Sequence, residues 1–495
     1  MKIFFGCQGS ITNHFINLDK LLSKEITNYT SHFWVGDKYE FIKNKYEKYF
    51  NDNNIQILKE WSFTDNLKIV DKDIKEYINS KYSSLNLWNI ILADRRLMYG
   101  PQSKFRQKYT SRYSFDELTN IIYRSLYTLD KYILENEIDV VVTFVPSCFG
   151  TYILNIIAEH NNIKLRQLRA TKIEDLVIFS DTLSATPNYI KSKYKENLNN
   201  FPQIKFIEES KNYIGNTLKY NAKYTGSERL IEKPHLAVIR LIKKANQIFK
   251  YLKDSDRHNK ISFIDLYINK FFISKYKKFR ISKIYSQRLF GHNISRKYKV
   301  LFYPLNSEPE IAISIHSRNH QNQIETIRRI SQSIPLGWIL VVKEHPRSVG
   351  IRSLKYYKKI LEIPNVYFFK NTESIRYCID KSDAVCTLTG FIGFEALVQK
   401  KPVILLGDSF YSSLHGTMIK KIDDMNEFYS QFQELLINYE YSEKHLISLI
   451  SAHFEYGDKV DIYKTILNKP VKKSQNNLNY NESIEVLKNL LLKTN

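Results

Sequence analysis

The sequence has little cysteine: four thiols are spread over its 495 residues, at Cys7, Cys148, Cys378 and Cys386. Their spacing fits neither a zinc site nor a disulfide framework, so a reducing cytoplasm is the compartment that the sequence predicts. No apolar run reaches the roughly 18 residues that a membrane-spanning helix needs. Residues 1–10 also lack the apolar core and the cleavage site of a secretory signal peptide.

Acidic residues are scarce relative to basic ones. The chain holds 74 Lys and Arg against 51 Asp and Glu, which gives a formal net charge of +23. Such a charge attracts nucleic acid, anionic lipid or anionic substrates. The hydrophobic content of 43% is ordinary for a soluble globular protein. Because the chain is too long for one hydrophobic core, we expect two domains of about 200 residues each.

The first half of the chain alternates short apolar strands with helical segments. Strands are predicted at 2–6, 32–37, 54–60, 138–146, 163–171 and 175–181. This alternation indicates a parallel sheet, and we assign 1–230 to an N-terminal Rossmann-like domain that holds the acceptor and the catalytic groups. The loop at 6–14 contains glycine but lacks the G-x-G-x-x-G fingerprint of a dinucleotide site.

Residues 231–297 differ from the rest of the chain in composition. Between Leu241 and Val300 there are sixteen Lys and Arg against three Asp and no Glu, with aromatic residues interleaved. The pattern is typical of a basic helical connector, either a solvated helix pair over the domain junction or a patch that binds an anionic membrane surface. Nucleic acid would need the same charge, but no known RNA- or DNA-binding module accompanies it, so we expect no nucleic-acid partner.

A second alternating region covers 298–470, and 471–495 is predicted to be a terminal helix. The strand that ends at Val342 is a near-continuous apolar run, as expected for a strand buried on both faces. Lys343 and His345 follow where this strand leaves the sheet. Since ligands of open parallel sheets lie beyond the carboxyl ends of the strands, both side chains are predicted to face a ligand, although an isolated loop histidine is commonly structural.

The stretch 383–397 predicts a strand, a glycine loop and a helix. Gly390 and Gly393 interrupt the apolar pattern, and Thr387 and Thr389 add hydroxyl groups beside them. Backbone N–H groups and the positive end of a helix then point to one place, which suits a phosphate. An ordinary strand-to-helix turn has the same pattern, but the strand end about forty residues earlier favours a phosphate or diphosphate site.

Four stretches, in this order, resemble the capsule polysaccharide biosynthesis family, which includes the bacterial β-Kdo transferases. They are FYPLNSEPE (302–310), VVKEHP (341–346), TLTGFIGFEAL (387–397) and KPVILLGDSFY (401–411). The resemblance implies an α/β, GT-B-like fold with two Rossmann-like domains facing a central cleft. It also implies glycosyltransferase activity with a nucleotide-sugar bound in the C-terminal domain.

The motifs of that family match this sequence unevenly. The K-E-H-P element matches in full at 343–346, but the Q-P-E element falls on 308–310, so that Glu308 replaces its glutamine. The T-G-T-x-G-x-E-A loop matches at Thr389, Gly390, Gly393, Glu395 and Ala396. Phe391 replaces the second threonine of that loop, so backbone N–H groups must contribute more to phosphate binding.

The resemblance also implies roles for the matching residues. Lys343 and His345 are expected to bind the leaving phosphate with the glycine loop, and Glu395 to accept hydrogen bonds from the ribose, unless it only complements the helix dipole. Glu310 is expected to line the same crevice or to cap the next helix. The His-Pro pair resembles that of bacterial sialyltransferases, which favours a CMP-linked donor such as CMP-Kdo.

The chemistry at the sugar is assigned to the N-terminal domain. The β-Kdo transferases that the sequence resembles retain configuration and are thought to use a carboxylate, for which Glu174, Asp175 and Asp181 are candidates here; each is also typical of a loop or a helix cap. Arg166 and Arg169 are predicted to neutralise the carboxylate of the sugar, or to face solvent from an edge strand.

We therefore predict a cytoplasmic glycosyltransferase, peripheral at the inner membrane face, that acts on a lipid-linked or oligosaccharide acceptor. His14 is the candidate that approaches this acceptor from the first loop. No D-x-D element lies near Lys343 and His345, so neither a metal nor another cofactor is predicted. The alternatives are a nucleotide-sugar epimerase or hydrolase, and a non-catalytic glycan- or lipid-binding protein.

Overall fold

The chain folds into two compact units of α/β structure. A computed structural model describes residues 1–9, 11–36, 39–60, 62–65, 69–99, 111, 113–146, 148–219, 274–291, 294, 297–308, 310–345, 348–460, 462 and 479–493. The first unit comprises Met1–Met98, Ser111–Pro202 and Ile450–Asn495, and the second Tyr99–Thr110 and Gln203–Leu449. The domain limits at 230 and 470 that the sequence suggested stay predictions.

The strands form two sheets, one in each unit. They are β1 Lys2–Cys7, β2 Thr30–Val35, β3 Gln56–Lys59, β4 Val140–Phe144, β5 Lys164–Ala170, β6 Leu176–Ser180, β7 Lys299–Pro304, β8 Trp338–Lys343, β9 Val366–Phe368, β10 Ala384–Thr387, β11 Val403–Leu405, β12 Ile419–Lys421 and β13 Asp458–Lys459.

The helices that connect these strands vary from one turn to six. They are α1 Ile11–Glu25, α2 Tyr39–Lys45, α3 Glu47–Asp52, α4 Ser62–Asp65, α5 Lys72–Lys81, α6 Trp88–Ala93, α7 Arg95–Tyr99, α8 Phe115–Glu135, α9 Phe149–His160, α10 Asn188–Asn199, α11 Ile204–Lys219, α12 Ser274–Tyr285, α13 Ile311–Ser314, α14 Gln323–Gln332, α15 Leu354–Leu361, α16 Ile375–Asp380, α17 Phe391–Val398, α18 Phe428–Ile437, α19 Glu443–Tyr456 and α20 Tyr480–Lys493.

The first sheet has seven strands in the order β13-β6-β5-β4-β1-β2-β3. The strands from β1 to β5 run parallel, as the β–α–β alternation predicted. β6 runs antiparallel to β5 because only a short turn at 171–175 joins them, whereas a parallel pair needs a long crossover. The strand order reverses between β1 and β4, so the carboxyl ends of these two strands form a topological switch point.

The terminal helix α20 belongs to the first unit. Leu487, Leu490 and Leu491 are buried in the same hydrophobic cluster as Phe5 and Phe15. The helix that the sequence predicted at the end of the chain is therefore present, and its apolar face stabilises the N-terminal sheet.

The second sheet has six strands in the order β12-β11-β10-β7-β8-β9, and all of them run parallel. Every residue of β8 after Trp338 is buried, as the apolar run predicted. The order reverses between β7 and β10, which makes their carboxyl ends the switch point of this sheet. The predicted α/β class is confirmed, with one Rossmann-like sheet in each of the two units.

The basic connector predicted at 231–297 lies largely outside the described residues. Its described part includes α12, whose Ile281, Ile284 and Tyr285 pack into the core of the second unit. No helix of the described residues is long and apolar enough to cross a membrane.

Candidate functional site

The glycine loop that the sequence singled out joins β10 to α17. Thr387 is the last residue of β10, and Gly390 is the N-cap of α17, with an extended backbone and no side-chain cap. The Tyr411 hydroxyl, from the loop after β11, donates to the Gly390 carbonyl at 2.5 Å. Because glycine has no side chain, the first N–H groups of α17 receive no cap from Gly390. These N–H groups lie at the switch point of the sheet.

Thr387 places an unused hydroxyl under this loop. Its side chain is fully buried, and its Oγ1 has no hydrogen-bond partner in the described part of the chain. A Cβ added at Gly390 would lie 3.2 Å from that oxygen, so the hydroxyl points at the loop. Buried hydroxyl groups nearly always have a partner, and an oxygen of a bound anion would supply one.

Gly393 is required by close packing rather than by backbone conformation. A Cβ at this position would overlap the Tyr411 hydroxyl and lie 2.9 Å from the Thr387 Cγ2. Each glycine thus has its own part in the loop. Gly390 provides no side-chain cap for the helix end, and Gly393 leaves the space that Tyr411 and Thr387 occupy next to this loop. Thr389 is also buried, and its carbonyl accepts from the Ser409 hydroxyl at 3.3 Å.

Glu395 lies in the second turn of α17, beyond the first turn in which a carboxylate would complement the helix dipole, and is half-buried. Burial raises the pKa of its carboxyl group to about 7. Its carboxylate has no hydrogen-bond or ionic partner among the residues that the structure describes. An isolated, partly desolvated carboxylate is costly unless a ligand supplies donors, which fits the predicted contact with ribose hydroxyls.

Lys343 is less accessible than the sequence indicated. Its side chain is buried, and its Nζ donates to the carbonyls of Lys370 and Asn371 at 3.0 and 3.2 Å. Burial lowers the pKa of this ammonium group. The lysine thus ties the end of β8 to the loop after β9, and its contact with a phosphate stays a prediction.

His345 follows the end of β8 and is half-buried. Its backbone N–H donates to a carboxylate that is part of a buried ion pair. Glu344 accepts from the His345 N–H at 2.7 Å and from the Tyr357 hydroxyl at 2.6 Å. Arg352, fully buried, pairs with Glu344 and also donates to the Asn306 carbonyl. Sequence reasoning missed Arg352, because no motif marks it and only the fold brings it beneath the histidine.

The replacement of the family's glutamine by Glu308 is accommodated by the same arginine. Glu308 lies 3.6 Å from Arg352 and accepts from the Gln323 side chain and, at 3.4 Å, from the Tyr356 hydroxyl. Burial raises the pKa of the Glu308 carboxyl group, against the attraction of Arg352. Glu310, by contrast, is exposed, and its carbonyl accepts from two N–H groups at the start of α13.

The three candidate carboxylates of the first unit are separated by β6. Glu174 and Asp175 precede this strand, and Glu174 pairs with Lys459 at 2.9 Å. Asp181 follows it and accepts from the Asn188 N–H at 3.1 Å at the start of α10. A strand of five residues spans about 17 Å at roughly 3.3 Å per residue, so the candidates do not form one group.

The two candidate arginines lie on β5. Arg169 is buried, and its guanidinium donates to the Thr182 carbonyl at 2.6 Å, to the Ser184 carbonyl and to the Gln167 side chain. Arg166 is half-buried, and burial lowers its pKa, opposed by Asp181. Arg169 thus anchors the loop after β6, and it is not the solvent-facing arginine of an edge strand.

His14 is part of α1 rather than of the loop before it. Its side chain is buried, and its ring lies 4.9 Å from the ring of Tyr480 in α20. The position fits a packing contact between these two helices, so an approach to the acceptor stays a prediction.

A buried carboxylate that sequence reasoning missed lies at the switch point of the first sheet. Glu60, just after β3, accepts from the Gln8 amide at 2.7 and 2.5 Å and from the Gly150 N–H at 2.8 Å. A Cβ at Gly150 or Gly36 would overlap this carboxylate. Gly36 and Gly150 were the only signal of this carboxylate in the sequence. Their role becomes visible only when the fold brings the three loops together.

A second carboxylate completes this arrangement. Asp94 accepts from the Phe149 N–H at 3.2 Å and pairs with Arg96 at 2.8 Å. The first two N–H groups of α9 therefore bind carboxylates of the protein itself, and the positive end of this helix is neutralised internally.

The fold and the open glycine loop define a Rossmann-like protein with a candidate phosphate site in its second unit. Residues 226–418 match the sequence model of the family described as capsule polysaccharide biosynthesis protein. The resemblance inferred from the four motifs is confirmed for this part of the chain.

The solved structures to which this chain is similar come from several organisms. A β-Kdo 2,7 transferase, KpsC of Thermosulfurimonas dismutans, is 13% identical, with a TM-score of 0.35 over 82% of this chain and 97% of its own. The β-Kdo 2,4 transferase of the same KpsC is 10% identical, with a TM-score of 0.31 over 64% and 79%. A UDP-GlcNAc 2-epimerase of Neisseria meningitidis is 12% identical, with a TM-score of 0.25 over 100% of both chains. No curated protein sequence matches this chain.

Proposed function

We propose that the chain is a glycosyltransferase of surface polysaccharide assembly that takes its sugar from a nucleotide donor. The observation that carries this proposal is the loop at 387–393, where a helix end without a side-chain cap, a buried hydroxyl without a described partner and the closely packed Gly393 meet at a switch point. Such an end binds an anion through backbone N–H groups and the helix dipole.

In the proposed reaction, the loop and His345 oppose the charge that grows on the leaving phosphate. Oriented N–H donors and a cationic or neutral imidazole stabilise this charge more in the transition state than in the bound donor. Arg352 and Glu344 hold the histidine backbone in place, so the group is preorganised. Glu395 accepts hydrogen bonds from the ribose, for which its unpaired carboxylate is available.

The favoured donor is CMP-Kdo. A CMP-sugar carries one phosphate, and one loop with one histidine satisfies it without a metal or a second clamp. Lys343, which already donates to two backbone carbonyls, supports the same region through its positive charge. The acceptor is proposed to be lipid-linked, in line with the basic composition of 241–300.

A thermal-shift panel of CMP, UDP and GDP with the full chain tests the donor. CMP should raise the melting temperature most; at 100 times its dissociation constant a ligand adds about 2.7 kcal/mol of stability. EDTA should leave the shift unchanged. A larger, metal-dependent shift with UDP or GDP would overturn the CMP assignment, and no shift with any nucleotide would overturn the proposed function.

The activity itself separates the glycosyltransferase from the alternatives. Isomerisation of a donor in the absence of acceptor would identify an epimerase, and tight donor binding without nucleotide release would identify a binding protein. Release of nucleotide that depends on an added glycan acceptor is the result we expect.

Vesicle binding tests the membrane contact. The full chain should bind vesicles that contain phosphatidylserine and be released by high salt, because each basic side chain near such a surface contributes about 1 kcal/mol. Equal binding to neutral phosphatidylcholine vesicles would contradict this contact.

A further inference from the structure

A cavity of about 260 Å³ lies in the second unit, beyond the carboxyl ends of β11 and β12. One wall is the segment 315–320, the second is 406–408, and Lys421 and Asp423 close the third side. None of the roles predicted above involves these residues.

The cavity shares a wall with the glycine loop. The Leu406 N–H donates to the Thr387 carbonyl at 2.9 Å. A Cβ at Gly407 would lie 2.6 Å from the His316 carbonyl and 2.9 Å from the Leu388 carbonyl, so this glycine is pressed between the cavity segment and the loop. A group attached to a phosphate at the loop is therefore next to the cavity.

The lining of the cavity favours a group rich in hydroxyls. Arg318, Asn319 and Lys421 carry donors. Within the protein, Lys421 pairs with Asp423 at 3.1 Å, and Asp408 accepts from the Ser412 hydroxyl at 3.2 Å. Each of these charged groups has further hydrogen-bonding capacity that a sugar hydroxyl can use. No phenylalanine, tyrosine or tryptophan lines it among the described residues, whereas nucleobases commonly stack on such rings. A sugar ring, which both donates and accepts along its edge, matches this set better than a base does.

We propose that this cavity binds the sugar of the nucleotide-sugar donor while the phosphate lies at the glycine loop. The inference rests on the proposed function and adds to it the location of one substrate group. Asp408 and Lys421 contact the sugar hydroxyls, and the nucleoside extends from the other side of the phosphate.

Two variants and a matched control test this location. Asp408→Asn keeps the shape of the side chain but removes its charge, and Lys421→Met removes a cation of the cavity. Lys420→Met is the matched control, because neighbouring strand residues point to opposite faces. Both changes remove one ion pair: Lys421 pairs with Asp423 at 3.1 Å, and Lys420 with Glu434 at 2.6 Å. Calorimetry on the full chain compares CMP with CMP-Kdo, UDP with UDP-N-acetylglucosamine, and GDP with GDP-mannose.

We expect each cavity variant to weaken binding of the sugar conjugate about tenfold, in line with the loss of a hydrogen bond to a charged group. Binding of the bare nucleotide should stay within about twofold of the unchanged chain, as should both ligands with the control. Equal weakening of nucleotide and conjugate would place the nucleoside in the cavity and overturn the inference. Unchanged conjugate binding would also overturn it, whereas failure of every nucleotide to bind would overturn the proposed function.

Discussion

The helix that begins at the switch point differs between the two sheets. In the first unit, Asp94 and Glu60 accept from the Phe149 and Gly150 N–H groups of α9. In the second unit, α17 begins at Gly390 with no side-chain cap. The two sheets have the same kind of switch point. Carboxylates of the protein bind the positive helix end in the first unit, whereas the corresponding helix end in the second unit has no side-chain cap.

Two carboxylates of the second unit pair with an arginine. Glu308, in the loop after β7, and Glu344, in the loop after β8, share the guanidinium of Arg352. The difference teaches that a Rossmann-like sheet does not by itself bind phosphate. We expect a phosphate to bind only where no buried carboxylate already occupies the helix end.

The largest effect is expected for Arg352→Met. The change leaves two buried carboxylates without their shared cation, and breaking such a pair costs about 3–5 kcal/mol of unfolding free energy. Chemical denaturation measures it, with Arg328→Met in the exposed pair with Glu325 as a control that should cost under about 1 kcal/mol. Adding Glu308→Gln should recover part of the loss, and no recovery would contradict the shared-charge arrangement.

His345→Ala should lower the rate of transfer by about 10² to 10³, or 2.7–4 kcal/mol, because a transition-state donor is lost. Its melting temperature should stay close to that of the unchanged chain. His415→Ala is the control, since His415 is exposed and bonds to Thr417 in the same unit. Near-normal turnover of a folded His345→Ala protein would remove the histidine from the mechanism.

A paired experiment tests the contrast between the units. Glu60→Gln should lower the free energy of unfolding by about 1–3 kcal/mol, because a buried donor loses its charged acceptor, and should leave nucleotide binding unchanged. Glu395→Gln should do the reverse, weakening CMP binding without lowering the free energy of unfolding. Titration calorimetry measures CMP binding by both variants, and chemical denaturation measures their free energy of unfolding. A loss of CMP affinity in Glu60→Gln would contradict the contrast between the two units.

The smallest effect is expected for the pH dependence of stability that Glu395 of the second unit causes. Burial raises the Glu395 pKa from 4.5 to about 7, so the folded chain holds a proton that the unfolded chain releases. The stability that Glu395 contributes therefore falls as pH rises from about 4.5 to 7. Melting curves across this range should show a smaller decline for Glu395→Gln, and equal declines would show that the carboxyl group does not titrate there.

Local sequence was sufficient for the elements that carry the candidate site. The apolar run before Lys343 predicted β8, and the interruption of an apolar strand by Gly390 and Gly393 predicted β10, the loop and α17. These features depend on residues close together in the chain, whose periodicity and backbone preferences are visible in the sequence. The order of the motifs was also enough to predict which family model this region matches.

The partners of the site residues were decided by tertiary structure alone. Arg352 meets Glu344, and Glu60 meets Gly150, only because strand order brings loops that are distant in sequence to one edge of a sheet. The same holds for the burial of Lys343, which no local pattern marks. Sequence by itself thus determined which segments form strands, loops and helices here. The packing of non-local loops decided which of their charges are neutralised within the protein and which helix end is left without a side-chain cap.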